Sequence, residues 1–106
     1  MIFVLNLYNI RPGKEALYRE YMKHAGPKLA DFNAAPIAAG EHPVELSGNN
    51  KRSHMVLVSF PDREAFDDFY QACDEAGLHE LREAATDNYL WTLYEAWDLA
   101  AWMSIE

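Results

Sequence analysis

The chain has 106 residues, half of them hydrophobic, which suits a single domain with its own core. Its 17 acidic and 9 basic residues give a net charge of −8, which disfavours binding to nucleic acid or to anionic membrane surfaces. The single cysteine, Cys73, excludes an internal disulfide and is expected to be a packing residue. With no leader-like or membrane-length apolar run, a cytoplasmic location is expected by default.

The first part of the chain predicts a strand and then a helix. Residues 2–8 are apolar on both alternating sides, except for Asn6, and predict a strand that is buried on both faces. Residues 13–32 carry an apolar helical stripe, on which His24 is expected to lie. Pro27 predicts a kink in this helix, because proline lacks the backbone donor and clashes with the preceding turn.

The rest of the chain predicts three strands and one broken helix. Residues 37–46 predict a strand that is interrupted by glycine and proline, and residues 53–60 predict a second strand. A helix begins after Asp62, which can cap its N-terminus, and one or two further turns are expected over residues 78–84. Residues 89–97 predict the last strand.

This order of elements is β-α-β-β-α-β, which predicts an α+β fold with two helices on one face of a four-stranded antiparallel sheet. The uncovered face of the sheet then needs another surface, most simply a second copy of the chain. Residues 1–98 form the predicted domain. Residues 99–106 are an apolar tail that we expect to pack on this domain or on a partner chain, because it is an aggregation liability when exposed.

The pattern of the chain resembles the dimeric α+β barrel (ferredoxin-like) superfamily over about residues 2–97. The stretches that carry the resemblance are residues 56–66, where a strand runs straight into a helix, residues 37–41, and Tyr18, Tyr21 and Pro27 on the first helix. They are closest to an uncharacterised small family within that superfamily. The resemblance implies a homodimer. More distant relatives include antibiotic-biosynthesis-type (quinone-forming, cofactor-independent) monooxygenases, haem-degrading monooxygenases and isomerases, so the fold alone does not select an activity.

The candidate site residues are polar or aromatic side chains on predicted buried surfaces. Asn6 must be hydrogen-bonded if it is buried, either within the core or to a substrate oxygen. His24 and His79 are candidates for moving a proton, and with Asn6 they are the predicted catalytic residues. The predicted substrate-binding residues are Tyr8, Tyr21, Phe69 and Trp91.

A haem site is the alternative that the resemblance implies. In small haem-degrading monooxygenases, the site is made by an Asn on the first strand, a Trp on the second helix and a His ten residues further on. Asn6 and His79 stand at matching places, but Phe69 stands where the Trp is expected. His79 is also readable as a surface residue in an acidic segment. The four histidines have no metal-ligand spacing, so no metal is expected.

Three functions stay open at this stage. The leading hypothesis is a homodimer that binds a small apolar or aromatic molecule and works without a cofactor, as a monooxygenase or isomerase. The second is haem binding or degradation. The third is a non-catalytic structural or binding module, which predicts no cavity large enough for a ligand.

Overall fold

The chain forms one four-stranded sheet with helices packed on one face, which confirms the predicted α+β class. The computed structural model describes residues 1–104. Along the chain the elements are β1 (Ile2–Ile10), α1 (Glu15–Asp31), β2 (Ala35–Glu41), β3 (His54–Phe60), α2 (Arg63–Glu75), α3 (Leu78–Ala85), β4 (Thr86–Glu95) and α4 (Leu99–Met103).

The sheet has the strand order β2-β3-β1-β4, and each neighbouring pair is antiparallel. The predicted split β-α-β arrangement is therefore present, with β1 and β3 at the centre. The register places Asn6 of β1 opposite Val56 of β3 on one side and opposite Trp91 of β4 on the other. Because directly opposite residues share a face, these three side chains lie on the same side of the sheet.

The two faces of the sheet differ in burial. Along β1 the even-numbered residues from Ile2 to Tyr8 are buried beneath the helices. The odd-numbered residues from Phe3 to Leu7 are only half-buried. The prediction that this strand is buried on both faces is therefore wrong for the single chain. The other face, called here the open face, is apolar, and its side chains are half-buried or exposed: Phe3, Leu5, Leu7, Leu57, Leu90 and Tyr94.

The second strand begins and ends earlier than predicted, at Ala35–Glu41 rather than over residues 37–46. Strand β2 is an edge strand that pairs only with β3, so Pro36 can lie within it without removing a needed hydrogen bond. Beyond Glu41 the chain leaves the sheet. Glu45 then holds the following turn, because its carboxylate accepts a hydrogen bond from the backbone N–H of Asn50 at 3.0 Å.

The last strand also begins earlier than predicted, at Thr86 rather than at residue 89. A register shift between Leu7 and Asn9 extends the pairing of β1 and β4 to Ile10. Such a bulge adds a residue to one strand. The hydrogen-bonded pairing of β1 and β4 can then continue beyond residues 2–8, the apolar run that predicts the strand. At the other end the strand stops at Glu95, so Trp97, the last residue of the predicted strand, lies beyond it.

Helix α1 is continuous through Pro27. Helices α2 and α3 are separated at Gly77, which adopts the left-handed conformation with φ of 71°. The predicted cap of α2 is confirmed, since the Asp62 side chain accepts a hydrogen bond from the N–H of Ala65 at 2.8 Å. Within residues 1–104, no helix has both the length and the apolarity that a membrane-spanning segment requires.

The C-terminal tail forms the short helix α4, whose first turn is capped by Asp98. The rings of Trp97 and Trp102 pack on each other with centroids 5.4 Å apart, and both side chains stay exposed. Packing of this tail on the body of its own chain is therefore not seen over the part described. Packing against a partner chain stays a prediction, and Ile105 lies outside the described residues.

Candidate functional site

A cavity of about 170 Å³ lies between the helix face of the sheet and helices α1 and α2. Most of its walls are apolar or aromatic. Asn6 and three tyrosine side chains supply its polar groups, so one end of an otherwise apolar space can form hydrogen bonds. The residues that line it are Val4, Asn6, Tyr18, Tyr21, Met22, Ala25, Gly26, Leu29, Pro36, Val56, Val58, Phe60, Phe66, Phe69, Tyr89 and Trp91.

Asn6 is the polar anchor of this cavity. It is only 6% exposed, and its Nδ2 donates a hydrogen bond to the carbonyl oxygen of Val56 at 3.2 Å. Its Oδ1 accepts a hydrogen bond from the hydroxyl of Tyr89 at 2.6 Å. The amide therefore joins β1 to both neighbouring strands. A primary amide has two N–H donors, and these two bonds use only one of them.

A row of stacked rings continues from this anchor. The rings of Tyr8 and Tyr89 are nearly parallel, with centroids 5.0 Å apart and an interplanar angle of 11°. On its other side Tyr8 stacks on the imidazole of His54, at 5.7 Å. The hydroxyl of Tyr18 on α1 donates a hydrogen bond to the hydroxyl of Tyr8 at 2.5 Å, which ties the helix to the sheet beside the cavity.

The phenols of this cluster are held in the protonated form. Burial raises the pKa of Tyr21 to about 12 from 10.0, and the nearby Arg82 offsets only part of this rise. Burial likewise raises the pKa values of Tyr8, Tyr18 and Tyr89. None of these hydroxyls can act as a base at neutral pH, and because Tyr18 and Tyr89 already donate to Tyr8 and Asn6, the Tyr21 hydroxyl is the one in the cavity wall that can donate to a ligand.

His24 does not lie on the buried stripe of the first helix, which corrects the sequence prediction. Its side chain is 57% exposed and pairs with Glu20 one turn earlier, at 3.0 Å. The stripe is centred between Tyr21 and Ala25, which are both buried. At 100° per residue, position 24 falls at the edge of that stripe and turns to solvent.

His79 is buried, at 9% exposed, and so it is not a surface residue. Its Nε2 lies 3.1 Å from the carbonyl oxygen of Tyr70, and the two rings are in contact with centroids 4.1 Å apart. His79 does not line the cavity that contains Asn6. The structure therefore separates the three residues predicted to be catalytic, and only Asn6 faces the cavity.

The residues of this site do not fit a haem group of the kind that the resemblance implies. The ring of Tyr70 lies against His79, the backbone carbonyl of Tyr70 is within hydrogen-bonding distance of its Nε2, and its Nδ1 is buried, with no partner within residues 1–104, so neither ring nitrogen is open to an iron. The cavity of about 170 Å³ is also smaller than the roughly 300–1,000 Å³ usual for drug-sized ligands, and a tetrapyrrole is larger than most of those. Among residues 1–104, no three His, Cys, Asp or Glu side chains are grouped as a metal site.

Four predicted substrate-binding residues lie at or beside the cavity. Tyr21, Phe69 and Trp91 line it, and Tyr8 lies behind Tyr18 and Tyr89. Sequence reasoning missed Tyr89 as a site residue because residue 89 was placed at the start of the last strand. It also missed Arg82, although one signal was available. Arg82 stands four residues after Leu78 and three before Ala85, on the buried side of α3.

Cys73 is a packing residue, as predicted. Its side chain is almost fully buried in the core cluster, and burial raises the pKa of its thiol. The thiolate, which is the reactive form, is therefore disfavoured.

Together, the sheet order and the cavity beneath α1 define an α+β protein of the ferredoxin-like class with a small-molecule-sized cavity between sheet and helices. The chain belongs to the family of the domain of unknown function DUF1330, whose model matches residues 4–95. Among curated proteins, none matches this sequence.

Solved structures share the fold at low sequence identity. A protein of unknown function from Rhodopseudomonas palustris, RPA0582, is 19% identical with a TM-score of 0.81, over 92% of this chain and 82% of that one. SnoaB, a cofactor-independent oxygenase from Streptomyces nogalater, is 10% identical with a TM-score of 0.59, over 92% and 93%. A dimeric protein of unknown function and ferredoxin-like fold from Bacteroides fragilis is 9% identical with a TM-score of 0.61, over 90% and 95%. At these identities the likeness shows the fold.

A double-mutant cycle tests the Asn6–Tyr89 hydrogen bond. Asn6→Leu and Tyr89→Phe each leave one buried partner without its hydrogen bond, whereas the double variant removes both partners. We expect a coupling of about 1 kcal/mol or more in the free energy of unfolding, measured by urea denaturation. Tyr94→Phe, on the open face, is the control partner and should add to Asn6→Leu without coupling. Additive effects for Asn6 and Tyr89 would contradict the hydrogen bond.

Stability at alkaline pH tests the buried phenols. A folded-state pKa of about 12 against 10.0 for the free group means that Tyr21 favours the folded state fully below pH 10, and that this contribution is lost as the pH rises to 12. This contribution of Tyr21 to the free energy of unfolding is about 2–3 kcal/mol. In urea unfolding across this range, Tyr21→Phe should lose stability less steeply than the native protein. Equal slopes would show that Tyr21 is not protected by burial.

Proposed function

We propose that this protein is a homodimer that binds a small, single-ring compound carrying one hydrogen-bonding oxygen, in the cavity between sheet and helices. The observation that carries the proposal is a buried amide, Asn6, with one of its two N–H donors unused, in the wall of an otherwise apolar space of about 170 Å³. The volume of the cavity limits the size of the ligand, and the hydrogen bond from Asn6 fixes which end of the ligand carries its oxygen.

The size of the cavity favours one aromatic ring. An engineered apolar cavity of about 150 Å³ in another protein binds benzene, so a space of about 170 Å³ suits a ring of that size with one small substituent. The aromatic side chains of Phe66, Phe69 and Trp91 in its wall favour a flat ligand. A purely structural module has no need of such a space, and the hypothesis of a structural module predicted that none exists.

The polar end of the cavity favours an oxygen acceptor on the ligand. The second N–H of Asn6 is free to donate to a carbonyl or phenol oxygen, because its other bonds are made within the sheet. The hydroxyls of Tyr18 and Tyr89 in the same wall already donate to Tyr8 and Asn6, which leaves Tyr21 as the cavity tyrosine whose hydroxyl can also donate to the ligand. A ligand oxygen is therefore recognised by donors rather than by a base.

Dimerisation through the open face is part of the proposal. That face presents six large apolar side chains in one layer, an arrangement that typically marks an interface. The Bacteroides fragilis protein of the same fold is described as dimeric, which supports the same assembly here. Pairing of two sheets would also extend the layer structure from two layers to four.

Cofactor-independent oxygenation is the second candidate function, because SnoaB shares this fold. For a quinol substrate, carbon–oxygen bond formation with O₂ gives a hydroperoxide, and loss of water leaves the hydroxyquinone, so that C₆H₆O₂ and O₂ give C₆H₄O₃ and H₂O. The quinol must first lose a proton, and because no His, Asp or Glu of the described residues lines the cavity, that proton goes to water; the remaining N–H of Asn6 can stabilise the negative oxygen that is left. Isomerisation is less well supported, because neither His24 nor His79 faces the cavity to move a proton.

Phenol and benzene test the binding site by titration calorimetry. Ala25 is buried on α1 and lines the cavity, so Ala25→Leu fills the space that the ring needs. We expect this variant to lose phenol and benzene binding at least tenfold, whereas Ala30→Leu, exposed on the same helix, binds both normally. Asn6→Leu combined with Tyr89→Phe should lose phenol and keep benzene. Unchanged binding by Ala25→Leu places the ligand elsewhere.

Size-exclusion chromatography with light scattering at micromolar concentration tests the dimer. Leu57→Lys puts a charge at the centre of the open face, where the interface desolvates it, so we expect a monomer. Leu46→Lys, at an exposed loop position, should stay dimeric like the native protein. A native protein that is monomeric under these conditions would contradict the proposed assembly.

Oxygen uptake with 1,4-hydroquinone tests the second candidate. We expect uptake above the uncatalysed rate in the native protein and loss of that excess in Ala25→Leu, with Ala30→Leu as the control. Phenol binding without any excess uptake would leave the protein as a binding module and remove the oxygenase function.

A further inference from the structure

A second cavity, of about 360 Å³, lies on the other side of Tyr89 and Trp91 from the first. Its walls are more polar, and they include Arg82 on α3. Arg82 is only 7% exposed, which is unusual for an arginine because a buried charge is strongly destabilising without partners. The residues that line this cavity are Arg11, Arg82, Glu83, Thr86, Asp87, Asn88, Tyr89 and Trp91.

Two aromatic rings lie against the Arg82 guanidinium. Its central carbon lies 4.6 Å from the centroid of the Tyr89 ring and 4.7 Å from that of Trp91. Cation–π contacts of this kind stabilise the charge over the faces of the rings. They are not hydrogen bonds to an acceptor atom, so the N–H donors of the guanidinium still need acceptors.

Two buried donors at this place have no acceptor. Among residues 1–104, neither Nε of Arg82 nor Nε1 of Trp91 has a hydrogen-bond partner. Both belong to side chains that touch each other and line the second cavity. Buried N–H groups are rarely left unpaired in folded proteins, so two adjacent ones indicate that a ligand or solvent oxygen belongs there.

The protein's own carboxylates do not fill this place. The nearest, on Glu83, is 3.8 Å from Nη2 of Arg82, and its side chain is 74% exposed, so the pair is weak. Asp87 also lines the cavity, but its Oδ1 accepts a hydrogen bond from Asn9 at 3.0 Å. Arg11 adds a second positive charge to the wall.

We propose that the second cavity binds the carboxylate group of a small aromatic acid, with Arg82 and the indole N–H of Trp91 as its hydrogen-bond donors. A carboxylate carries one charge and two acceptor oxygens, which matches one buried cation and two free donors. A phosphate dianion matches less well, because the carboxylates of Glu83 and Asp87 line the same cavity. The rings of Tyr89 and Trp91 also line this cavity, so a ring beside the carboxylate can contact their edges. This site is independent of the ligand proposed for the first cavity.

Benzoate is the probe, and benzyl alcohol is its neutral counterpart. In the native protein we expect benzoate to bind at pH 7 with a downfield shift of the Arg82 Nε–H and Trp91 Nε1–H signals in a ¹H–¹⁵N NMR titration. Arg82→Met should weaken benzoate binding about tenfold or more, because a hydrogen-bonded ion pair is lost. Benzyl alcohol should leave the Arg82 Nε–H signal unshifted, because Arg82 lines only the second cavity, whereas Trp91 lines both.

Arg63→Met is the matched control, since Arg63 is an exposed arginine on α2 and its loss should leave benzoate binding unchanged. If Arg82→Met does not fold, Trp91→Phe keeps an aromatic wall and removes only the indole donor, and it should also weaken binding. Equal binding of benzoate by both Arg82→Met and the native protein, or no shift of either signal, would overturn the proposal. Inorganic phosphate that shifts these signals at lower concentration than benzoate would overturn the choice of a carboxylate.

Ala25→Leu separates this site from the first cavity. Because Ala25 lines only the first cavity, its substitution should remove phenol binding and leave benzoate binding intact. Loss of both ligands in this variant would show that benzoate occupies the first cavity, and would overturn the second site without affecting the first. Loss of phenol binding alone supports two separate sites.

Discussion

The side-chain amide of Asn6 is the constraint on which the rest of this structure depends. It lies on the central strand beneath the helices, where any unpaired polar group is costly. Its two bonds, to the Val56 carbonyl and the Tyr89 hydroxyl, fix the positions of both neighbouring strands at one level of the sheet. An apolar residue at this position could pack there, but it would give neither the alignment of the strands nor an amide donor in the wall of the cavity.

The aromatic residues follow from that anchor. Tyr89 is held at its hydroxyl by Asn6, and its ring is then placed between Tyr8 on one side and the guanidinium of Arg82 on the other. The same ring lines both cavities, so it separates an apolar compartment from a charged one. One fold with a single layer of helices thus presents two chemically distinct spaces.

Much of this architecture could be predicted from the sequence, because the periodicity of apolar residues changes clearly between strands and helices. Asn6 stood out as a polar residue in an apolar strand. His24 was misplaced because apolar spacing alone does not show where the edge of a helical stripe lies. Arg82 and Tyr89 were missed because their roles arise from contact between α3 and β4, and because the bulge after Leu7 moved the start of β4 by three residues.

The most direct test of the central claim is a crystal structure of the protein soaked with phenol. We expect one ring in the cavity between sheet and helices, with its oxygen about 2.7–3.2 Å from Nδ2 of Asn6. A ring elsewhere, or one in the cavity with its oxygen turned away from Asn6, would contradict the role given to this amide.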